Sequence, residues 1–239
     1  MNNNLILVVG KSTNGKSASL RNLKNPEGVA YLNTENNKAL PFRSKFQPLR
    51  VTDPYQIYDA FTELADNDDI HTIVIDTATY MMDMFESMYV IPSTNTQKAW
   101  GDYAQFFIVL MQQYVANSSK RVIILAHTAD INNETEMILE TRVKVKGSLM
   151  SKGIESFFTQ VVSAKRLPIK ALKGYDNSLL EITEEDEING YKYVYQTRPT
   201  KETAHEWIRS PMGMWDREET FIDNDIELVL ERIAEYYEE

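Results

Sequence analysis

The chain has 239 residues, 43% of them hydrophobic and 25% charged, enough apolar content to bury a core and too much for a disordered chain or a fibre. A formal net charge of -10 excludes a surface coated uniformly for nucleic acid. The absence of cysteine excludes disulfides, thiolate nucleophiles and cysteine-ligated zinc, and the three histidines, His71, His127 and His205, are too few and too scattered for a metal cage.

Apolar runs such as 5–9 and 122–126 are about five residues long, against the roughly 20 that a membrane helix needs, and the N-terminus carries no charged, apolar, small-residue leader. The expectation is a cytoplasmic protein with no membrane partner. LILVV at 5–9 is apolar without alternation, as in a strand buried on both faces of a parallel sheet. Similar runs recur at 28–33 (GVAYLN), 72–75 (TIVI) and 121–126 (RVIILA), with a weaker one near 49–51. Helical stretches are predicted between them at 17–23, 55–65, 79–89 and 103–115. Strand alternating with helix implies right-handed crossovers and a parallel sheet covered on both faces. Beyond residue 160 the segments 159–164, 178–183 and 191–197 read as strands extending the sheet in antiparallel sense, the last two joined by an acidic turn, EEDEING. A final helix at 225–237 carries Ile226, Val229, Leu230, Ile233, Ala234 and Tyr237 on one face. No Gly/Ser or Pro-rich linker and no internal repeat interrupts the chain, so residues 1–239 read as one α/β domain.

The strongest motif is Gly10-Lys11-Ser12-Thr13-Asn14-Gly15-Lys16-Ser17, a complete G-x-x-x-x-G-K-[ST] between a predicted strand and a predicted helix. The glycines let the backbone wrap so that successive N–H groups, on into Ala18, face phosphates; Lys16 neutralises β/γ-phosphate charge and the Ser17 hydroxyl ligates Mg²⁺. Asp76 ends the apolar run TIVID, where it either shares the Mg²⁺ shell or closes a turn. Thr77 follows it in place of a glutamate, so the base for an attacking water is sought elsewhere. Glu35, closing the second strand in YLNTEN, is either that base or a loop cap facing solvent. His127 ends the fourth strand and either contacts the γ-phosphate or satisfies a local backbone group.

Charge is distributed unevenly. Residues 142–173 hold eight basic side chains against one acid, Glu155, whereas 216–239 hold ten acids against Arg217 and Arg232. Arg142, Lys144 and Lys146 alternate, so an extended backbone presents them on one side, suited to phosphate contact; a solvated loop is the other reading. Trp100 and Tyr103 either stack on bases or pack a helix start. Met81, Met84, Phe85 and Met88 share a helical face, read as core or subunit contact.

The order of these motifs resembles the RecA-like ATPase core, and the stretch KAWGDYAQFFIVLMQQYVANSSKRVIILAHTADI is similar to the RecA region running through a helix into the strand before the second DNA-binding loop. With KVKGSLMSKGIESFF, residues 5–200 look closest to phage ATPases of the Sak-type single-strand annealing group. The resemblance implies a three-layer P-loop NTPase fold with a mostly parallel sheet, C-terminal antiparallel strands and a C-terminal helix. It implies ATP and Mg²⁺ as cofactors, Glu35 as catalytic glutamate, Asp76 as Walker B acid and His127 as γ-phosphate sensor. It makes 130–152 a mobile DNA-facing loop in which Arg142, Lys144, Lys146 and Lys152 contact DNA. RecA's N-terminal polymerisation element has no counterpart ahead of Leu5, and Arg198 and Lys201 are the candidates for its trans-acting basic residues, with surface charge as the alternative.

The leading expectation is therefore an ATPase acting on single-stranded DNA in annealing or recombination, in phage DNA metabolism within an infected host cell. Its expected partners are single-stranded DNA, further copies of itself in a ring or filament, and a phage single-stranded-DNA-binding protein. The acidic segment 216–239 would screen the DNA loop or dock a basic partner. The alternative is a nucleotide-gated regulator of a protein partner, favoured by the charge of -10 and the acidic C-terminal segment. A small-molecule P-loop kinase is a third class, for which no Arg-rich lid is visible.

Overall fold

LILVVG forms β1 (Leu5–Gly10) with both faces buried, which is why the run does not alternate with polar residues. Leu7 and Val9 enter one core, while Ile6 and Val8 enter the other. The computed structural model describes residues 4–134 and 137–238. Its remaining strands are β2 (Val29–Asn33), β3 (Gln47–Arg50), β4 (Thr72–Asp76), β5 (Arg121–Asn133), β6 (Ile138–Val143), β7 (Gln160–Pro168), β8 (Tyr191–Gln196) and β9 (Phe221–Asp223). The helices are α1 (Gln56–Leu64), α2 (Ala78–Phe85), α3 (Thr96–Val109), α4 (Gly147–Lys152), α5 (Ile169–Leu172), α6 (Glu184–Asn189) and α7 (Ile226–Glu238).

The sheet order is β3-β2-β4-β5-β1-β7-β8-β9, with β6 paired to the outer half of β5. From β3 to β7 every pairing in the main sheet is parallel; β8 and β9 run antiparallel. Ile57 of α1, Met81 of α2, Phe107 of α3 and Leu149 of α4 fill the core on one face. On the other face lie Leu20, from a short 3-10 helix (Ser17–Asn22), and Ile226, Val229 and Ile233 of α7. This is the three-layer, mostly parallel α/β fold with C-terminal antiparallel strands and helix. Among the described residues no helix is long and apolar enough to cross a membrane.

Several expectations change. The 17–23 helix is only a short 3-10 segment, cut off because Asn25 turns left-handed (φ 50) and Pro26 follows, and neither continues a helix. Segment 159–164 belongs to β7 and is parallel to β1 rather than antiparallel. Residues 178–183 lie outside any strand. They run beside β9 with isolated bonds only, Asp223 N–H to the Leu179 carbonyl (2.8 Å) and Glu181 N–H to Asp223 Oδ1 (3.3 Å). The acidic turn is α6, capped reciprocally by Thr183 and Asp186 and ended by left-handed Gly190. On α2 the buried set is Met81, Met82 and Phe85, while Met88 is exposed.

The ends of β2 and β4 are tied together by one buried hydroxyl. Thr34 Oγ1 accepts from Thr77 N–H (2.7 Å) and donates to the Thr77 carbonyl (2.8 Å), and Thr34 N–H donates to the Asp76 carbonyl (2.9 Å). This clasp fixes the spacing of the two strand tips that carry Glu35 and Asp76. Replacing Thr34 by Val keeps the shape and orphans two backbone groups, each costing about 1–3 kcal/mol. Urea unfolding of Thr34→Val should therefore show about 2 kcal/mol or more of lost stability. A loss below about 0.5 kcal/mol, a typical surface effect, would contradict the clasp.

Candidate active site

At the C-terminal edge of β1 the chain turns through Lys11–Gly15 before entering the 3-10 helix. Gly10 passes so close to β7 that a Cβ there would lie 2.6 Å from the Ala164 carbonyl oxygen, and Asn14 Nδ2 donates to that same oxygen (3.2 Å). Gly15 has φ +87, and a Cβ would press on Asn224 Oδ1 (3.1 Å) and Tyr193 Cδ1 (3.2 Å). Both motif glycines are thus required by local geometry as well as by backbone conformation.

Lys16 is 5% exposed, and all three ammonium donors are used: the Gly10 carbonyl (2.9 Å), the Lys11 carbonyl (3.0 Å) and His127 Nδ1 (3.1 Å). An ammonium can only donate, so Nδ1 accepts and the imidazole carries its proton on Nε2. That N–H donates to Glu35 Oε1 (3.2 Å), while Lys38 holds Glu35 Oε2 (3.1 Å). Burial pushes the Lys16 ammonium down to about 8, against the raising influence of Asp76 and Glu35. The His127 hydrogen bond, with Lys38, holds the Glu35 carboxyl below its ordinary range despite desolvation.

Asp76 is 1% exposed. Its Oδ2 accepts from Ser17 Oγ (2.7 Å) and Tyr31 OH (2.7 Å), and its buried Oδ1 has no partner. Desolvation raises its carboxyl above the usual range, though Tyr31, Ser17 and Lys16 oppose the shift. Tyr31 in turn is pushed upward by its own burial and by Asp76. A buried carboxylate with a spare oxygen beside a serine hydroxyl fits a divalent cation completed by phosphate oxygens and water. Among the described residues no cluster of three or more His, Asp or Glu could hold a metal without such a ligand.

These groups line a cavity of about 600 Å³. Ser12, Thr13, Gly15, Lys16, Ser17, Ala18, Glu35, Asp76 and His127 form its inner end. Motif reading missed Arg21, Tyr31 and Lys38, which come from the 3-10 helix, β2 and the segment after it, and Lys192, Tyr193, Asp223 and Asn224 of the outer wall. Only the chain's path through β8 and β9 brings the last four to the loop. Lys11 points away from the cavity and pairs with Asp130 on β5 (2.7 Å).

The segment 130–152, expected as a DNA-facing loop, forms part of the β5–β6 hairpin, paired from Thr128↔Val143 to Asn133↔Ile138, followed by α4; residues 135–136 lie outside the described residues. Alternation holds in that Val143 and Val145 are buried, yet Arg142 pairs with Glu140 and lies 4.2 Å over the Trp207 ring, and Lys146 pairs with Glu86. Lys144 and Lys152 are exposed. Tyr103 is 1% exposed and part of the core, its hydroxyl accepting from Lys146 N–H, and Trp100, half-buried, packs edge-on against it. Arg198 donates to the Trp215 carbonyl (2.9 Å), which ties it to its own domain; Lys201 is exposed. The acidic segment, described to residue 238, docks on the rest of the chain through Lys24–Glu227 and Lys24–Glu231 pairs and the apolar face of α7, and Arg232–Glu219 pairs within it.

A P-loop cradle at the edge of a parallel sheet, with an acid on a nearby strand tip, defines a P-loop ATPase-like site. The profile of the AAA domain family matches residues 2–204, and the chain belongs to that family. No curated relative matches it. The family supports nucleotide binding and hydrolysis in general terms.

The lowered Lys16 gives a pH signature. Phosphate contact requires the ammonium, so above about pH 8 the free protein must take up a proton when nucleotide binds. Affinity for ATP, by calorimetry, should be level below about pH 7.5 and fall up to about tenfold per unit above pH 8. Lys16→Arg, charged throughout, should remove that slope. A level wild-type affinity to about pH 9.5 would contradict the assignment.

Proposed function

We propose that this protein hydrolyses ATP with Mg²⁺ and couples turnover to the β5–β6 hairpin, whose output is contact with single-stranded DNA. The observation that carries this reading is the junction at His127. Its ring joins Lys16 to Glu35, its backbone N–H donates to Thr79 Oγ1 (2.9 Å), and its backbone carbonyl accepts from Lys144 N–H (2.8 Å).

In this reading Lys16 releases the Gly10 and Lys11 carbonyls and His127 to meet the β/γ-phosphates, and the backbone of residues 12–18 cradles them. Held by Ser17 and Asp76, Mg²⁺ supplies charge neutralisation at the phosphate oxygens. Glu35, ionised at neutral pH, orients a water and takes its proton as the oxygen forms a bond to the γ-phosphorus. The bond to the β-bridging oxygen breaks, and ADP leaves with the electron pair. With Lys16 withdrawn, His127 Nδ1 loses its donor and the imidazole is free to follow the γ-phosphate. The change passes to the base of the hairpin through Lys144 and through Lys11–Asp130–Thr141, since Thr141 Oγ1 also donates to Asp130 (2.8 Å).

Lys144 and Lys152 are the exposed cations next to this hairpin and the proposed phosphate contacts, joined by Lys146 if its pair with Glu86 opens. Assembly into a ring or filament, with Lys201 the remaining candidate for a trans-acting cation, belongs to the same proposal. So do the phage setting, the likeness to single-strand annealing ATPases and a single-stranded-DNA-binding partner. One observation favours a second reading, a nucleotide-gated contact with a protein. Met137 and Leu139 near the end of the hairpin are 88% and 60% exposed and Glu134 is exposed beside them, so the described residues there are apolar and acidic rather than basic.

Steady-state ATPase rates with and without single-stranded DNA separate the two. Stimulation by DNA is expected, lost about 100-fold or more in Lys16→Ala and Glu35→Gln and reduced in Lys144→Glu. Turnover that is intact but indifferent to DNA, with a partner protein retained only with ATP, would replace the first reading with the second.

A further inference from the structure

Four lysine and arginine side chains line the 600 Å³ cavity: Lys16, Arg21, Lys38 and Lys192. Three of them are committed where they stand. Lys16 belongs to the phosphate loop. Arg21 Nη1 donates to the Ala18 and Asn224 carbonyls (3.1 and 2.8 Å). Lys192, its side chain 10% exposed, is shared between Asp186 and Asp223 (3.1 Å each). Lys38 differs. Its side chain is 72% exposed, and among the described residues its ion-pair partner is Glu35 (3.1 Å).

The local backbone brings Lys38 onto Glu35. Residues 35–38 form a turn closed by Lys38 N–H on the Glu35 carbonyl (2.9 Å), with Asn36 (φ 52) and Asn37 (φ 60) both left-handed. Two left-handed central residues are the pattern of a type I′ turn, which asparagine tolerates and which sets its first and last residues opposite each other. Asn33, 5% exposed, braces the turn: its Oδ1 accepts from Glu35 N–H (3.0 Å) and its Nδ2 donates to the Lys38 carbonyl (2.9 Å). The Lys38 backbone is thus fixed beside the inner end of the cavity, while its ammonium is free to swing.

Charge selects what that ammonium meets. The Glu35 carboxylate, and more weakly Asp76, raise it above the ordinary lysine range. Lys38 is in turn one of the charges that bear on Lys16, behind burial, Asp76 and Glu35. It is therefore a charged group within electrostatic reach of both the loop lysine and the cation-binding acid. A triphosphate brings further negative charge to an end that already holds the Glu35 and Asp76 carboxylates beside Lys16. An ammonium able to pass from carboxylate to phosphate relieves that excess, since both accept charge-assisted hydrogen bonds.

We propose that Lys38 is a catalytic residue, a cation supplied in cis that passes from Glu35 to a γ-phosphate oxygen when the triphosphate binds. The move stabilises charge on the transferring phosphoryl group and leaves Glu35 Oε2 open to the attacking water. It rests on the reading of Glu35 as the base and of residues 10–17 as the cradle.

Calorimetry on the full chain with Mg²⁺ and either a non-hydrolysable ATP analogue or ADP tests the contact apart from turnover. Wild type is compared with Lys38→Ala, Lys38→Arg, Glu35→Gln and the double variant carrying Lys38→Ala and Glu35→Gln. Lys38→Ala should bind the analogue about tenfold more weakly and ADP as wild type does, because only the analogue carries a γ-phosphate. Lys38→Arg should keep most of the analogue affinity. The loss should persist when Glu35 is already glutamine, whereas a lysine that acts only by holding Glu35 would have no effect there. In steady state, kcat should fall about 100-fold in Lys38→Ala. Unchanged analogue affinity, equal weakening of analogue and ADP, or a loss that vanishes beside Glu35→Gln overturns the proposal. So does a kcat that rises in Lys38→Ala, which would make the lysine a brake on Glu35. Turnover retained in Glu35→Gln would remove the base reading alone, and the binding comparison would still uphold or overturn Lys38. Wild-type protein that binds neither nucleotide would remove the cradle and the proposal together.

Discussion

A single buried cation organises this site. Lys16 sits inside the fold with every donor satisfied by two loop carbonyls and an imidazole, yet burial still holds its ammonium down to about 8. Carbonyls and a neutral ring satisfy hydrogen bonding without neutralising charge. The arrangement is therefore stable but electrostatically incomplete, and a polyanion is the ligand that completes it. The same holds in mirror image for Asp76, whose buried carboxylate has two hydroxyl donors on one oxygen and none on the other.

The sheet order turns these two incomplete charges into one site. β5 lies between β1 and β4, with Gly10 opposite His127 and Asp76 opposite Leu125 in register. His127 thus stands between the loop lysine and the strand carrying Asp76, and Glu35 arrives from β2 across the Thr34 clasp. Because β5 continues past His127 into the hairpin, a change at the phosphates has a direct backbone route outward. On the opposite side β8, β9 and Asn224 after it close the cavity, while α7 packs in the second core, so the acidic C-terminal segment contributes to both.

The inner half of the site was legible in the sequence because its residues end apolar runs: Gly10 after LILVV, Glu35 after GVAYLN, Asp76 after TIVI, His127 after RVIILA. Parallel strands put such endings on one edge, so the pattern predicts proximity. The outer half was not legible. Tyr193 and Asn224 reach the loop only through the fold, and nothing in YKYVYQ or FIDND marks them. In the basic segment, alternation correctly placed Val143 and Val145 inward, but two of the groups that engage its charges, Glu86 and Trp207, lie far off in the chain, and only Glu140, paired with Arg142, is a near neighbour in sequence. The 178–183 segment has strand composition and lies next to β9, yet makes too few backbone bonds to become a strand. The Thr183–Asp186 capping box behind it was the signal that a helix, not a turn, follows.

The central claim is that the loop lysine and the Ser17–Asp76 pair are held ready for a nucleotide triphosphate and its cation. A crystal structure with a non-hydrolysable ATP analogue and Mg²⁺ tests it most directly. The account predicts Lys16 Nζ withdrawn from the Gly10 and Lys11 carbonyls onto phosphate oxygens, the cation shared with Ser17 and Asp76, and His127 parted from Lys16. An analogue bound elsewhere, or bound in the cavity with Lys16 still capped by its carbonyls and His127, would contradict it.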